Sequence, residues 1–121
     1  MTNLATKAKK LVDILPVAGW RRALLRHRVA AGVEHAGVLK NLGEVRTVLD
    51  IGANRGQFAL AAHYIFKGAR VYSFEPLSQP AKKYRALLGT NTAFSLFENA
   101  IGPERKDTVI HVSAHDDSSS L

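Results

Sequence analysis

Two hydrophobic patterns divide the chain near residue 46. Before it, apolar residues fall at helical spacing; after it, they gather into short runs separated by glycine, proline and polar residues. Leu4, Leu11, Ile14 and Leu15 recur near one helical face with lysines between them. This predicts a helix over residues 4–15, broken by Pro16 and Gly19. A second helix is expected from about Trp20 into the thirties, with Leu24, Leu25, Val29 and Val33 as its apolar stripe and arginines on the other face. Gly37 and Gly43 bracket a short third piece holding Val38, Leu39 and Leu42.

Residues 45–51 are a nearly continuous apolar run, interrupted by Arg46 and Thr47 and carrying Asp50 near its end. Such a run predicts a strand buried on both faces, and therefore a parallel sheet. Residues 52–56 form a glycine turn. Phe58, Leu60, Ala61, Ala62, Ile65 and Phe66 then predict a helix ended by Gly68. Residues 70–74 are a second strand, closed by Glu75-Pro76. Ser78 is placed to cap the next helix, with Pro80 tolerated in its first turn. Tyr84, Leu87 and Leu88 supply that helix's buried face, and Gly89 its end.

A third strand is expected over residues 94–101 and a fourth over 108–112, with Gly102-Pro103 starting the turn between them. The roughly six intervening residues are too few for a helical crossover. Either the two strands pair as a hairpin, or residues 93–101 are a short edge strand and the chain crosses the sheet end by a loop. Residues 113–121 are polar and serine-rich. The succession of strand, glycine turn, helix, strand, helix and strand predicts an α/β layer fold of the Rossmann-like kind. Residues 1–45 would form a helical, basic N-terminal extension to it, and residues 46–121 the sheet-bearing domain.

Charge sharpens this division. The net charge is +7, of which residues 1–40 contribute +6: eight lysines and arginines stand against Asp13 and Glu34. Such a segment suits nucleic acid, an anionic membrane or a phosphorylated substrate; the plainer reading, preferred here, is a solvated helical face. No aromatic residues interleave with the cations as stacking platforms require, which ranks nucleic acid low. The chain has no cysteine, excluding disulfides and thiolate metal sites. No secretory signal is evident, and no apolar run approaches the ~20 residues of a membrane span, so a cytoplasmic protein is expected.

The informative stretch is Asp50-Ile51-Gly52-Ala53-Asn54-Arg55-Gly56-Gln57. A strand feeding a glycine turn that opens a helix allows close backbone approach to a ligand and is expected to aim unpaired N–H groups at it. Glu75 ends the next strand, 23 residues beyond Gly52. A carboxylate at about twenty residues' separation is where a Rossmann-like site holds ribose hydroxyls. Asp50 argues about the rest of the ligand. A carboxylate beside the turn would repel a pyrophosphate but favour a cationic, phosphate-free nucleoside. The turn also reads Gly-x-x-x-Gly, unlike the dinucleotide pattern Gly-x-Gly-x-x-Gly.

The 50–57 stretch followed by Val71-Tyr72-Ser73-Phe74-Glu75-Pro76 resembles the FkbM-type S-adenosylmethionine-dependent methyltransferases. Asn99-Ala100-Ile101-Gly102 and Ser118-Ser119-Ser120-Leu121 fit the same pattern in order, though each is weak alone. The resemblance spans residues 46–121. It implies the N-terminal half of a class I methyltransferase fold that binds S-adenosyl-L-methionine and O-methylates a sugar, polysaccharide or secondary metabolite. By motif position it puts Asp50, Gly52, Ala53, Asn54 and Gly56 beside the methionine part and Gln57 at the start of the following helix. Glu75 would lie on the ribose, and Asn99 and Ala100 near the adenine edge. A complete domain of this class has further strands, so the acceptor-binding loops and any catalytic base are expected beyond Leu121, and the chain alone is expected to lack turnover.

No catalytic residue is nominated. His111, His115, Asp116 and Asp117 invite a proton-transfer or metal reading, but nothing at a second spacing completes a metal site: 115–117 read better as a solvated loop, and His111, alternating with Ile110 and Val112, is expected on one face of a strand. Two other functions compete: a nicotinamide-dependent oxidoreductase of related fold, and a non-catalytic binder or remnant of the enzyme.

Overall fold

A computed structural model describes residues 3–112. Three parallel strands, β1 (Thr47–Ile51), β2 (Arg70–Phe74) and β3 (Phe94–Phe97), lie in the order β1-β2-β3. The register sets Leu49 beside Tyr72 and Phe74 beside Phe97. The connections are α4 (Gln57–Ile65) and α5 (Ser78–Leu88). The protein is therefore an α/β chain with a parallel sheet and helical crossovers, as the alternating periodicities predicted.

Both crossover helices cover one face of the sheet. Val48 and Val71 point into a core with Ala59 and Ala62 of α4, Phe66 just after it, and Tyr84 and Leu88 of α5. The alanines are fully buried, and their small side chains let α4 lie close to the strands. The other face is different. Leu49 and Ile51 are each 63% exposed, and Phe74 stacks on Phe97 with ring centroids 5.2 Å apart. Burial on both faces of β1 was expected, and among the described residues it is not found. The two crossovers share a side, and no described element packs on the opposite one.

Two further expectations fail on burial. The third strand stops at Phe97 instead of residue 101, and Glu98 turns out to pair with Arg85 at 3.1 Å. Residues 108–112 form no fourth strand: His111 alone has a bridge position, and Val109 and Val112 are exposed. Without a buried face, an alternating segment has little to hold it as a strand. The parallel pairing of β3 with β2 makes it an outer strand followed by loop, the second of the two arrangements left open by the sequence.

The extension holds α1 (Leu4–Ile14), α2 (Ala18–His27), a 3-10 turn at Val33–His35 and α3 (Ala36–Leu39). Asn3 caps α1 through its side chain, which accepts the Ala5 N–H. α2 ends earlier than expected, because Arg28 adopts a left-handed conformation (φ 55°) that turns the chain. Its buried residues are Trp20 and Ala23, whereas Leu25 of the expected stripe is exposed. Of the apolar residues of α1, only Ile14 is buried.

The extension seats on the outer side of α4. Ile14, Trp20 and Ala31 cluster with Ala61, and the Trp20 indole N–H donates to the Leu60 carbonyl at 3.2 Å. The Gly32 N–H donates to the Gln57 carbonyl at 2.8 Å, where a side chain at residue 32 would press on α4 backbone. Ser78 does not cap α5: it is the first helical residue and makes no capping bond, while Leu77 holds the cap position.

These contacts set an expected hierarchy of stability. Trp20→Ala should cost about 3–5 kcal/mol, as for a large core residue, and Leu25→Ala less than about 0.5 kcal/mol. Urea denaturation of the two variants measures both.

Candidate functional site

The turn at residues 52–56 lies where β1 ends, and its geometry follows from three positive φ angles. Gly52 sits at 79°, Asn54 at 50° and Gly56 at 95°. Asparagine is among the few residues with a side chain that tolerate this region. The glycines serve different ends. A side chain at Gly52 would meet nothing within 4 Å, so its α-carbon faces open space. At Gly56 it would press on Tyr84 and Leu88, each at 3.1 Å, so this glycine makes room for α5 and not for a ligand.

The N–H groups of the turn are not free, which corrects the expectation that they point unpaired at a ligand. Gly52 and Ala53 both donate to the Phe74 carbonyl at 2.9 Å, and Gly56 donates to the Ala53 carbonyl at 3.0 Å. The Arg55 N–H reaches the Gln57 side-chain oxygen at 3.2 Å. The Asn54 N–H donates to Glu75 Oε2 at 2.8 Å. Every N–H from residue 52 to residue 56 thus has an acceptor within the protein. The turn offers no ready-made nest of donors for a phosphate.

Glu75 is 6% exposed, and its carboxylate works as a clamp. One oxygen holds the turn through Asn54, and Oε1 accepts the Leu77 N–H at 2.9 Å, fixing the entry to α5. A carboxylate has about four acceptor positions, so these two bonds leave capacity for further donors. The backbone N–H of Glu75 donates to the Phe97 carbonyl at 3.0 Å, bringing the end of β3 alongside.

Asp50 faces the helix-covered side of the sheet, beneath the turn, and is also 6% exposed. Its Oδ2 accepts a long bond from Ser73 Oγ at 3.5 Å, and the Tyr84 hydroxyl donates to the same Ser73 oxygen at 2.7 Å. Burial raises the Asp50 carboxyl to about 6; the Ser73 bond and His35 oppose the rise, and repulsion from Glu75 adds to it. The same apolar surroundings push the Tyr84 hydroxyl up to about 12, Asp50 adding to the rise while the Ser73 bond opposes it. The sequence places Tyr84 on a buried helix face and Ser73 in the second strand but does not show that their hydroxyls meet beside Asp50. The available signal was a serine two positions after Val71, on the buried face of β2.

Ala53 is buried, and Gln57 is tied to the turn as above. Asn99 and Ala100 are exposed beyond β3 and line a cleft of about 490 Å³ with Pro76, Glu98, Lys106 and Ile110. The sequence-derived candidates therefore gather at the carboxyl ends of the three strands, Asp50 and Gly56 facing inward and Gly52, Asn99 and Ala100 outward. Open parallel sheets take their ligands at this end. The buried Nε of Arg55 finds no acceptor among the described residues, which puts a further polar group in the turn. No cluster of three or more potential metal ligands occurs among the described residues. His115, Asp116, Asp117 and the 118–121 stretch lie outside them.

Fold and site together define an α/β chain with a cleft beside the carboxyl edge of a parallel sheet. Comparison with family models, curated proteins and solved structures gives no match.

The Asp50 carboxyl gives a pH test. Its folded-state value near 6 lies above the ordinary 3.8, so the unfolded chain releases this proton first as pH rises. The stability tied to Asp50 is fully present below about pH 4 and declines until about pH 6. Relative to wild type, Asp50→Asn should gain about 2–3 kcal/mol between pH 4 and pH 7. Paired denaturation curves at the two pH values check this; a difference independent of pH contradicts it.

Proposed function

We propose that this chain is the cofactor-binding part of an S-adenosylmethionine-dependent methyltransferase, of FkbM type, acting on a hydroxyl group of a small molecule or glycan. The observation that carries the reading is the internally bonded turn. A dinucleotide needs donors for its pyrophosphate, and here those donors are already committed within the fold. A cationic nucleoside without phosphates needs instead an open approach at Gly52 and acidic surroundings, which Asp50 and Glu75 supply. The Arg55 cation suits a carboxylate or a phosphate equally and does not discriminate.

In this reading the ribose hydroxyls donate to the remaining acceptor positions of Glu75. The clamp bonds from Asn54 and Leu77 hold that carboxylate in place, so little reorganisation is needed on binding. The open side of Gly52 admits the methionine part. Asn99 and Ala100 border the nucleobase from the cleft beside Pro76. Bound here, the cofactor supplies an electrophilic methyl group for an in-line displacement. The residues of this chain position that group, and positioning is a large share of such catalysis. Asp50 acts at one remove: from beneath the turn it contributes negative potential without a contact.

Isothermal titration calorimetry with S-adenosylhomocysteine and with NADH tests the reading directly. Binding of the first and not the second is expected; tight NADH binding alone defeats it. Gly52→Val should abolish binding by filling the open side. Glu75→Gln should weaken it by about 1.5–3 kcal/mol, the worth of charge-assisted hydrogen bonds. Unchanged affinity in both variants would move the site elsewhere.

A further inference from the structure

The first helix faces the wrong way for a helix that serves only the fold. Its packed side is polar apart from Ile14: Lys10 pairs with Glu34 at 3.1 Å, and Thr6 and Asp13 line a cleft against Val33 and Gly37. Its apolar side points outward. Leu4, Ala8, Leu11, Val12 and Leu15 recur at spacings of three, four and seven residues, and all five are exposed, Leu4 by 81%. Lys7 borders this ridge on one side and Lys9, which also lines the cleft with Thr6 and Asp13, on the other; neither has an acidic partner among the described residues. Arg21 of α2 stands at its far end, where its guanidinium donates to the Leu15 carbonyl at 2.7 Å. The single acid of the helix, Asp13, is on the packed side.

From this arrangement we infer that α1 is an interfacial anchor that lays its leucine ridge into an anionic lipid surface. An apolar ridge edged by lysines is the form that rests at the boundary of headgroups and acyl chains, with cations held by anionic lipids. Charge chooses among the possible occupants. A second copy would set one +6 segment against another. Nucleic acid would satisfy the lysines and leave the leucines in water. A protein groove is less well matched, because α1 carries no aromatic anchor and the nearby Trp20 is buried. The inference does not depend on which cofactor the sheet binds.

Vesicle flotation of the whole chain provides the test, with phosphatidylcholine alone compared with an equal mixture of phosphatidylcholine and phosphatidylglycerol. Binding to the anionic vesicles should exceed binding to the neutral ones by roughly tenfold and fall as salt is raised. The double variant Leu4→Glu/Leu11→Glu and the double variant Lys7→Glu/Lys9→Glu should each lose it, whereas Leu49→Ser on the bare sheet face should keep it. No binding by wild type, equal binding to both vesicles, or loss only in Leu49→Ser overturns the proposal. So does a dimer in sedimentation that the leucine variant dissolves without lipid, or nucleic-acid binding in place of vesicle binding. Because the chain has no cysteine, Val12→Cys carrying an environment-sensitive dye reports insertion without disturbing the packed side. Its emission should shift to the blue on anionic vesicles, and the same dye at Asp13→Cys should stay unshifted; identical responses count against the proposal.

Discussion

The Glu75 carboxylate holds the working end of this molecule together. One side chain, buried at the end of β2, binds the turn after β1 through Asn54 and the start of α5 through Leu77. The three segments at the carboxyl edge of the sheet are thereby fixed to one another by charge-assisted bonds in a site that water hardly reaches. The left-handed conformation at Asn54 is part of the same arrangement, since it lets the Asn54 N–H meet the carboxylate. Both Glu75 oxygens accept backbone N–H groups, so even the isosteric amide sets an NH2 donor against one of them.

The same economy extends beneath the turn. Asp50, Ser73 and Tyr84 form a short buried chain of polar groups linking β1, β2 and α5. The Tyr84–Ser73 bond is short and the Ser73–Asp50 bond long, so the carboxylate is the poorly compensated member, and this is why burial dominates its titration. It sets negative potential below the turn while Glu75 sets it beside the turn. Field and fold are supplied by the same pair of acids.

Local signals in the sequence were read well, and facing was not. Residues 70–74 and the turn at 52–56 could be placed from the chain alone, because a strand bounded by Gly68 and Glu75-Pro76, and glycines with required positive φ, leave few alternatives. Periodicity identified an apolar stripe on α1 but could not say which way the stripe would face. That depends on contacts distant in sequence, Ile14 packing on Trp20, Ala31 and Ala61 and Lys10 pairing with Glu34. Leu49 and Ile51 misled for a related reason: an apolar run measures the capacity for burial, not the presence of a covering layer. The N–H groups of the turn were expected to be unpaired because a glycine turn opens a helix there. Their acceptors, the Phe74 carbonyl and Glu75, belong to the next strand and are invisible to local spacing.

The position of α4 has a consequence for how this protein tolerates change. Ala59 and Ala62 press on the sheet, and Ala61 presses on Ile14, Trp20 and Ala31. The helix is a shared wall between two rooms, and Leu60 touches both. An enlarged side chain on one side has nowhere to push except through that wall. Substitutions in the two cores, though distant in sequence, are therefore coupled, and their energetic effects will not simply add. Variation in α1 and α2 is thus constrained by the core on the far side of α4.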